Sequence, residues 1–243
     1  MEFNEFKKEL EYIFEKNSLS ELLTEEREQK LYDLTQIMLE VNKSMNLTAI
    51  TDEKAVILKH YADSLTVSKY IPNGSKIIDV GCGAGFPCLP LAIFRNDIAI
   101  TALDATAKRI KYVQETAEKL KLNNVFAVAA RAEEFAKLTE HREKYDIATA
   151  RAVAALPILS ELCLPFVKKG GKFIAMKAAQ GETETADAAN AIKLCGGSIL
   201  SVDKFALISD NEPDTRVIIS VSKDTSTPQK YPRHYSQIVK KHL

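Results

Sequence analysis

Apolar residues recur at three- and four-residue spacing from the start of the chain, through Phe3, Phe6, Leu10, Ile13 and Phe14, which predicts an amphipathic helix ending near Asn17. Thr24 is placed to cap a second helix. Glu25, Glu26 and Glu28 suit its positive amino end, and Leu31, Leu34, Met38 and Val41 form its apolar stripe. Thr51 and Asp52 offer a cap for a third helix, which continues from Ala55 to Tyr70. Pro72-Asn73-Gly74 then breaks the chain, which divides a helical amino-terminal cap, residues 1–72, from an α/β body, residues 73–243.

Within the body, short apolar runs alternate with helical periodicity. Strands are expected at 76–80, 98–103, 125–129, 145–150 and 172–177. Helices are expected at about 87–94, 107–120, after Arg131, at roughly 156–168 and near 182–194. This order predicts a mostly parallel sheet with helices on both faces. Two late strands, around 198–207 and 216–221, have no helix between them, so they should pair antiparallel near one edge. The result is a seven-stranded, Rossmann-like sheet with an amino-terminal helical extension.

In an open α/β sheet a ligand lies beyond the carboxyl ends of the strands. The residues at those ends are Asp79 with Gly81, Gly83 and Gly85, then Asp104, then Arg131, Ala132 and Glu133, then Arg151. Glycines after the first strand let the backbone turn and approach a ligand closely. A dinucleotide loop needs Gly-x-Gly-x-x-Gly, but Phe86 stands where its third glycine belongs. Asp79 would repel a pyrophosphate. Beside the ammonium of a methionine moiety it would attract, by about 4 kcal/mol at about 4 Å in an effective dielectric near 20, so the loop favours S-adenosylmethionine. Asp104, 19 residues after Gly85, suits a ribose diol. Asp104 could instead cap the helix from Thr106, and Glu133 could be a plain first-turn helix acid.

Asp-Val-Gly-Cys-Gly-Ala-Gly-Phe-Pro at 79–87, Leu-Asp at 103–104 with Lys108-Arg109-Ile110, Arg-Ala-Glu-Glu at 131–134 and Arg-Ala-Val-Ala at 151–154 together resemble the bacterial small-subunit rRNA methyltransferase G family, also called glucose-inhibited division protein B. The resemblance extends to Asn46-Leu47-Thr48, to His60 with Asp63-Ser64, to Met176-Lys177 and to Tyr231-Pro232-Arg233. It implies a class I S-adenosylmethionine-dependent methyltransferase that modifies N7 of one guanosine in 16S rRNA and releases S-adenosylhomocysteine. It further implies cofactor contacts from Gly81, Phe86, Ala132, Glu133 and Arg151; Asp79, Gly83, Gly85, Asp104 and Ala105 complete the expected cofactor set. Cys88, Ala105 and Ala178 stand where the family usually has glycine, serine and glycine.

Guanine N7 has a free lone pair, so its methylation needs no base and chiefly requires orientation. The fourth strand accordingly ends in Ala150-Arg151-Ala152 and not in the Asn/Asp-Pro-Pro-aromatic motif of enzymes that methylate exocyclic amines. Arg151 and Arg131 are the expected catalytic groups, able to hold a phosphate or guanine O6 by forked hydrogen bonds. Cys88 lies in the cofactor loop, the wrong strand for a nucleophile. His60 and Asp63, one helical step apart, share a face. They join Lys108, Arg109, Lys177 and Arg233 as expected RNA-contacting residues, although His60 could equally be a packed, satisfied histidine.

Composition narrows the partners. The chain of 243 residues has 33 basic and 33 acidic side chains, which excludes a generic basic coat. Residues 1–40 carry eleven acids against five bases, whereas from Pro228 onward only bases occur. The basic tail is therefore expected either to meet an anionic partner or to be simply a solvated tail; the partner that the resemblance implies is 16S rRNA in the small ribosomal subunit or an assembly intermediate. Four dispersed histidines and four cysteines without a Cys-x-x-Cys pair predict no metal. No apolar run approaches the roughly 20 residues of a membrane span, and the first residues lack a signal pattern. A cytoplasmic monomer is expected. Two alternatives share the glycine loop: a class I methyltransferase with another substrate, and a non-catalytic ribosome- or RNA-binding module.

Overall fold

In the computed structural model, residues 1–210 and 212–243 are described. Strands β1 (Lys76–Val80), β2 (Ala99–Asp104), β3 (Val125–Ala129), β4 (Tyr145–Arg151), β5 (Val167–Ala178), β6 (Gly197–Leu207) and β7 (Asp214–Lys223) form one sheet. Their order is β3-β2-β1-β4-β5-β7-β6. The first five are parallel, and β7 runs antiparallel to both β5 and β6, as expected of a strand pair joined without a crossover helix. Because the chain reverses direction between β1–β2–β3 on one side and β4–β5 on the other, a crevice opens where β1 and β4 lie side by side.

Helices cover both faces. On one face lie α1 (Phe3–Lys16), α2 (Glu25–Met45), the short α3 (Glu53–Val56) and α4 (Asp63–Leu65), α5 (Cys88–Phe94) and α6 (Ala107–Lys119). On the other lie α7 (Ala132–Phe135), α8 (Leu156–Cys163), α9 (Glu184–Leu194) and α10 (Tyr235–Lys240). The caps follow the sequence: Thr24 accepts from the Arg27 amide at 3.3 Å and Asp52 from the Ala55 amide at 2.9 Å. Because β6 and β7 form a hairpin, one face of the antiparallel end receives no crossover helix of its own. The amino-terminal helices fill it. Phe6, Leu10, Phe14, Leu31, Leu34 and Met38 are fully buried in a core continuous with Ile174, Met176 and Ile218. The segments 1–72 and 73–243 thus differ in local pattern but share one apolar core. No helix among the described residues is long and apolar enough to cross a membrane.

Two segments depart from expectation. The helix expected over roughly 156–168 ends at Cys163; a 3₁₀ turn covers Leu164–Phe166 and β5 starts at Val167. Pro165 accounts for this, since it lacks the amide proton that would continue the helical hydrogen-bond ladder. Gly170-Gly171 then lies inside β5, where a Cβ on Gly171 would come within 2.4 Å of the Asp146 carbonyl oxygen. The third helix is not uniformly α: between α3 and α4, Ile57–Ala62 is π-helical, and a 3₁₀ turn follows at Ser68–Tyr70.

The basic tail is strapped to the body. Arg142 donates to the carbonyl oxygens of Thr227, Pro228 and Tyr231. Arg233 lies beside α8, where its Nε and Nη2 donate to the fully buried Glu161 carboxylate at 2.9 and 2.6 Å, and its backbone amide donates as well. Arg233→Ala would leave that carboxylate without a charged partner. We expect a loss of about 3–5 kcal/mol, read as a lower urea midpoint; an unchanged midpoint would contradict this structural role.

Candidate functional site

A cavity of about 790 Å³ opens at the carboxyl ends of β1, β2, β4 and β5 and extends over the antiparallel end. That volume lies in the upper range for small-molecule sites. One half is walled by the glycine loop, through Gly81, Cys82, Gly83, Ala84 and Phe86, with Asp104 and Arg109 beside it. The loop is tied to β2: the amides of Gly81 and Cys82 donate to the Leu103 carbonyl at 2.7 and 3.0 Å. Gly81 has φ +75°, and a Cβ there would lie 2.6 Å from a Val153 methyl carbon, so glycine is required both by conformation and by space.

Asp104 accepts from the Gly83 amide at 3.1 Å and the Thr106 amide at 2.8 Å, one on each carboxylate oxygen. Each oxygen keeps a lone pair for a diol. Beneath Gly81, Asp79 is almost wholly buried. Thr149 donates to its Oδ1 at 3.0 Å, while Oδ2 has no hydrogen-bond partner among the described residues. Burial raises its pKa to about 6, against the opposing pull of Thr149, Arg151 and the amide and thiol of Cys88 at the start of α5. A buried acid with an open oxygen behind a glycine loop is a counter-charge in want of a cation. Asp79 lies behind the glycine loop and does not itself line the cavity, so its charge acts through the loop, while the open backbone and Asp104 face the cavity; together they fit S-adenosylmethionine, whose ammonium and ribose offer the matching charge and diol.

Arg151 stands at the junction of the two halves and organises the residues around it. Its Nη1 donates to Asp63 at 2.8 Å and to the Lys59 carbonyl at 2.9 Å; its Nη2 lies 3.3 Å from His60 Nδ1. Asp63 is shared, because Arg216 Nε donates to its other oxygen at 3.1 Å, and Arg216 is gripped in turn by Asp214 at 2.6 and 3.0 Å. His60 Nδ1 must accept from Arg151, so Nε2 carries the proton and donates to Thr48 Oγ1 at 3.0 Å. Burial and the Arg151 charge hold its pKa down at about 3, so it is neutral at physiological pH. As pH falls below about 6.5 the unfolded chain takes up a proton that the folded chain refuses, so this contact loses stability toward acid. The His60 ring stacks on Phe86 at 4.2 Å, and the Arg151 guanidinium lies 5.4 Å from the same ring. The π-helical turn sits at this junction, a frequent place for such distortions. Ala152, directly after Arg151, has φ +55°, a strained setting for a non-glycine residue.

The expected residues thus divide by position. His60, Asp63, Arg151, Gly81, Gly83, Phe86, Asp104, Arg109 and Lys177 line the cavity. Gly85 lies under the loop, packed against Leu89. Ala105, two residues before α6, and Lys108, in its first turn, are exposed. Ala132 and Glu133 open α7, and Glu133 is buried and paired with Arg131 Nε at 3.2 Å. Arg131 itself does not line the cavity. It is half-exposed, with its guanidinium 5.0 Å from the Tyr235 ring of α10. Edge strand β3 carries it three strand positions from β4, roughly 14 Å at the usual spacing; the expected pairing of Arg131 with Arg151 on one reacting group is not formed. Arg233 lies at α8, away from the cavity. Lys177 donates to the Ala154 carbonyl and is ion-paired with Glu184, both at 2.8 Å, so its ammonium is held away from a distant phosphate. Sequence reasoning missed Arg216, Asp214 and Glu184. Asp214 and Arg216 do carry a signal, since residues two apart on a strand share a face, but nothing local says which carboxylate Arg216 reaches.

Residues 27–211 match the family described as GidB, rRNA small subunit methyltransferase G. Ribosomal RNA small subunit methyltransferase G of Listeria welshimeri is 46% identical over 206 residues, covering 84% of this chain and 86% of that protein. Its counterpart in Staphylococcus carnosus is 43% identical over 228 residues, covering 92% and 94%. Solved structures share the fold at far lower identity. M. jannaschii TYW2 in complex with AdoMet aligns with a TM-score of 0.52 at 16% identity, over 66% of this chain and 76% of that one. The [4+2]-cyclase SpnF aligns with 0.54, also at 16%, over 80% and 94%. At such low identity these likenesses speak for the fold alone, and a [4+2]-cyclase among them shows that the scaffold does not fix the reaction.

Proposed function

The chain belongs to the rRNA small subunit methyltransferase G family, and from that premise we propose that it transfers a methyl group from S-adenosylmethionine to N7 of one guanosine in 16S rRNA. The observation that carries this reading is Arg151, set between the glycine-loop half of the cavity and the open half, with its position fixed by Asp63, His60 and the Lys59 carbonyl.

S-adenosylmethionine supplies an activated methyl group on a sulfonium. The protein's part is binding and alignment. Asp79 and Asp104 hold the donor's charged and diol ends. Phe86, braced by the His60 ring, walls the loop near Arg151. Guanine N7 has a lone pair and no proton to lose, and the site is built to match: its one histidine is held neutral, with both ring nitrogens engaged, and is not available as a base. Arg151 Nε has no partner among the described residues and is left to donate to guanine O6, which sets N7 in line. Of the two arginines expected to be catalytic, we assign this role to Arg151 alone, and to Arg131 the anchoring of α10. Arg109 and Lys59, at the mouth, are suited to RNA phosphates. Such a substrate places the protein inside the cell.

The test is transfer of labelled methyl groups in the presence of small subunits, free 16S rRNA, protein and metabolite fractions. Label in small-subunit rRNA supports the proposal; label confined to protein or metabolites would overturn it.

A further inference from the structure

Four carboxylates line the cavity: Asp63, Asp104, Asp214 and Glu184. Three are fully engaged or already assigned. Asp63 gives one oxygen to Arg151 and the other to Arg216; Asp214 gives both to Arg216; Asp104 holds two loop amides beside the ribose position. Glu184 differs. Its Oε2 accepts from the Leu156 amide at 2.5 Å and pairs with Lys177 Nζ at 2.8 Å, while Oε1 has no donor among the described residues. Lys177 donates to the Ala154 carbonyl and lies in ion-pair contact with Glu184, which leaves ammonium donor capacity for a further acceptor. An immobilised acceptor therefore stands beside an immobilised donor in the half of the cavity away from the glycine loop.

The same half offers apolar surface for a ring. Strand register sets Met176 opposite Ile218 and Phe205 opposite Arg216, and the methionine, isoleucine and phenylalanine all line the cavity. Leu47 and Ile50 line it from the amino-terminal segment.

We propose that Glu184 and Lys177 form the subsite that reads the target base as guanine, an inference that rests on the function proposed above. Glu184 Oε1 accepts from N1–H and the 2-amino group, and a Lys177 proton goes to O6 on its N1 side. Arg151 reaches O6 from the N7 side, so the two cations share one oxygen without competing. Adenine would present a lone pair at N1 to the carboxylate and an amino group at C6 to the ammonium, both mismatched. Uracil shares the donor–acceptor pattern but has no 2-amino group and no N7. The contact also bears on rate. As N7 uses its lone pair to take the methyl group as a third substituent, the purine becomes cationic and N1–H a stronger donor, so the bond to Glu184 tightens toward the transition state. Glu184 is thus a specificity-determining residue whose loss lowers kcat as well as raising KM.

The experiment compares small-subunit particles whose 16S rRNA carries either guanosine or inosine at the position that the wild-type protein methylates. Inosine keeps N7, O6 and N1–H and lacks only the 2-amino group. The wild type should prefer guanosine by roughly 10-fold or more, the value of one hydrogen bond to a charged group. Glu184→Gln should lower kcat/KM on guanosine particles by roughly 10- to 100-fold, and its guanosine preference should shrink to within about twofold. Its S-adenosylmethionine affinity should stay within about twofold of wild type, since no cofactor contact is lost. Equal wild-type rates on the two RNAs would overturn the subsite, and this comparison needs no variant. So would a Glu184→Gln enzyme that keeps its preference, or one whose main defect is cofactor affinity. Absence of transfer to guanosine particles by the wild type would instead overturn the functional reading beneath it.

Discussion

Arg151→Ala should lower methyl transfer to small-subunit rRNA by roughly 10²- to 10³-fold, the usual effect of removing one preorganised donor at a reacting group, while the protein stays folded. The second half of this expectation comes from the way its partners are wired. Asp63 keeps Arg216 at 3.1 Å when Arg151 is gone, so no buried carboxylate is stripped of its counter-charge. His60 still stacks on Phe86 and still donates to Thr48. Arg151→Lys tests the geometry separately. An ammonium on a flexible stem cannot reach Asp63, His60 and the Lys59 carbonyl together, so we expect activity between the wild type and the alanine variant. Single-turnover transfer gives the rate and a thermal melt gives the fold. Near-normal turnover in Arg151→Ala would remove it from the mechanism.

Asp79→Asn should change two quantities in opposite directions. Cofactor affinity should fall by roughly 10- to 100-fold, because a carboxylate facing an ammonium is replaced by a neutral amide. In the wild type, affinity should also rise with pH through about 6, the value to which burial raises the Asp79 carboxyl, and this dependence should be absent in the variant. Stability without cofactor should respond the other way. Between pH 4 and pH 7 the unfolded chain releases this proton before the folded chain does, so the wild type loses stability as pH rises through that window. The loss is roughly 2–3 kcal/mol for a shift of this size. Asp79→Asn lacks it, so the difference between the two proteins in urea should grow from pH 4 to pH 7 and then level off. Parallel pH profiles would mean that Asp79 is not held in this strained state of charge.

What could be read before folding follows from locality. The glycine loop, Asp79, Asp104 and Arg151 were legible because each sits at the end of a strand that announces itself as a short apolar run, and the sheet brings such ends together. Arg131 sits at a strand end too, but the order β3-β2-β1-β4 puts it three positions from Arg151, and no local pattern encodes that distance. The shared face of His60 and Asp63 was legible from their spacing, but that both meet Arg151, 91 and 88 residues away, was not, because no local pattern encodes that pairing. Arg216 and Glu184 come from the antiparallel end and from the helix before it, elements outside the nucleotide-binding pattern. Arg233 looked like an RNA contact because its charge is visible in sequence, whereas the buried Glu161 that claims it is 72 residues away.

The central claim, that this cavity methylates guanine N7 in small-subunit rRNA, is tested most directly by mapping N7-methylguanosine in that RNA. Borohydride reduction followed by aniline cleaves the chain at such bases. RNA from cells that contain the protein should show a cleavage that is lost when the protein is removed. The wild-type protein should restore it and the Arg151→Ala variant should not. An identical cleavage pattern with and without the protein would contradict the account.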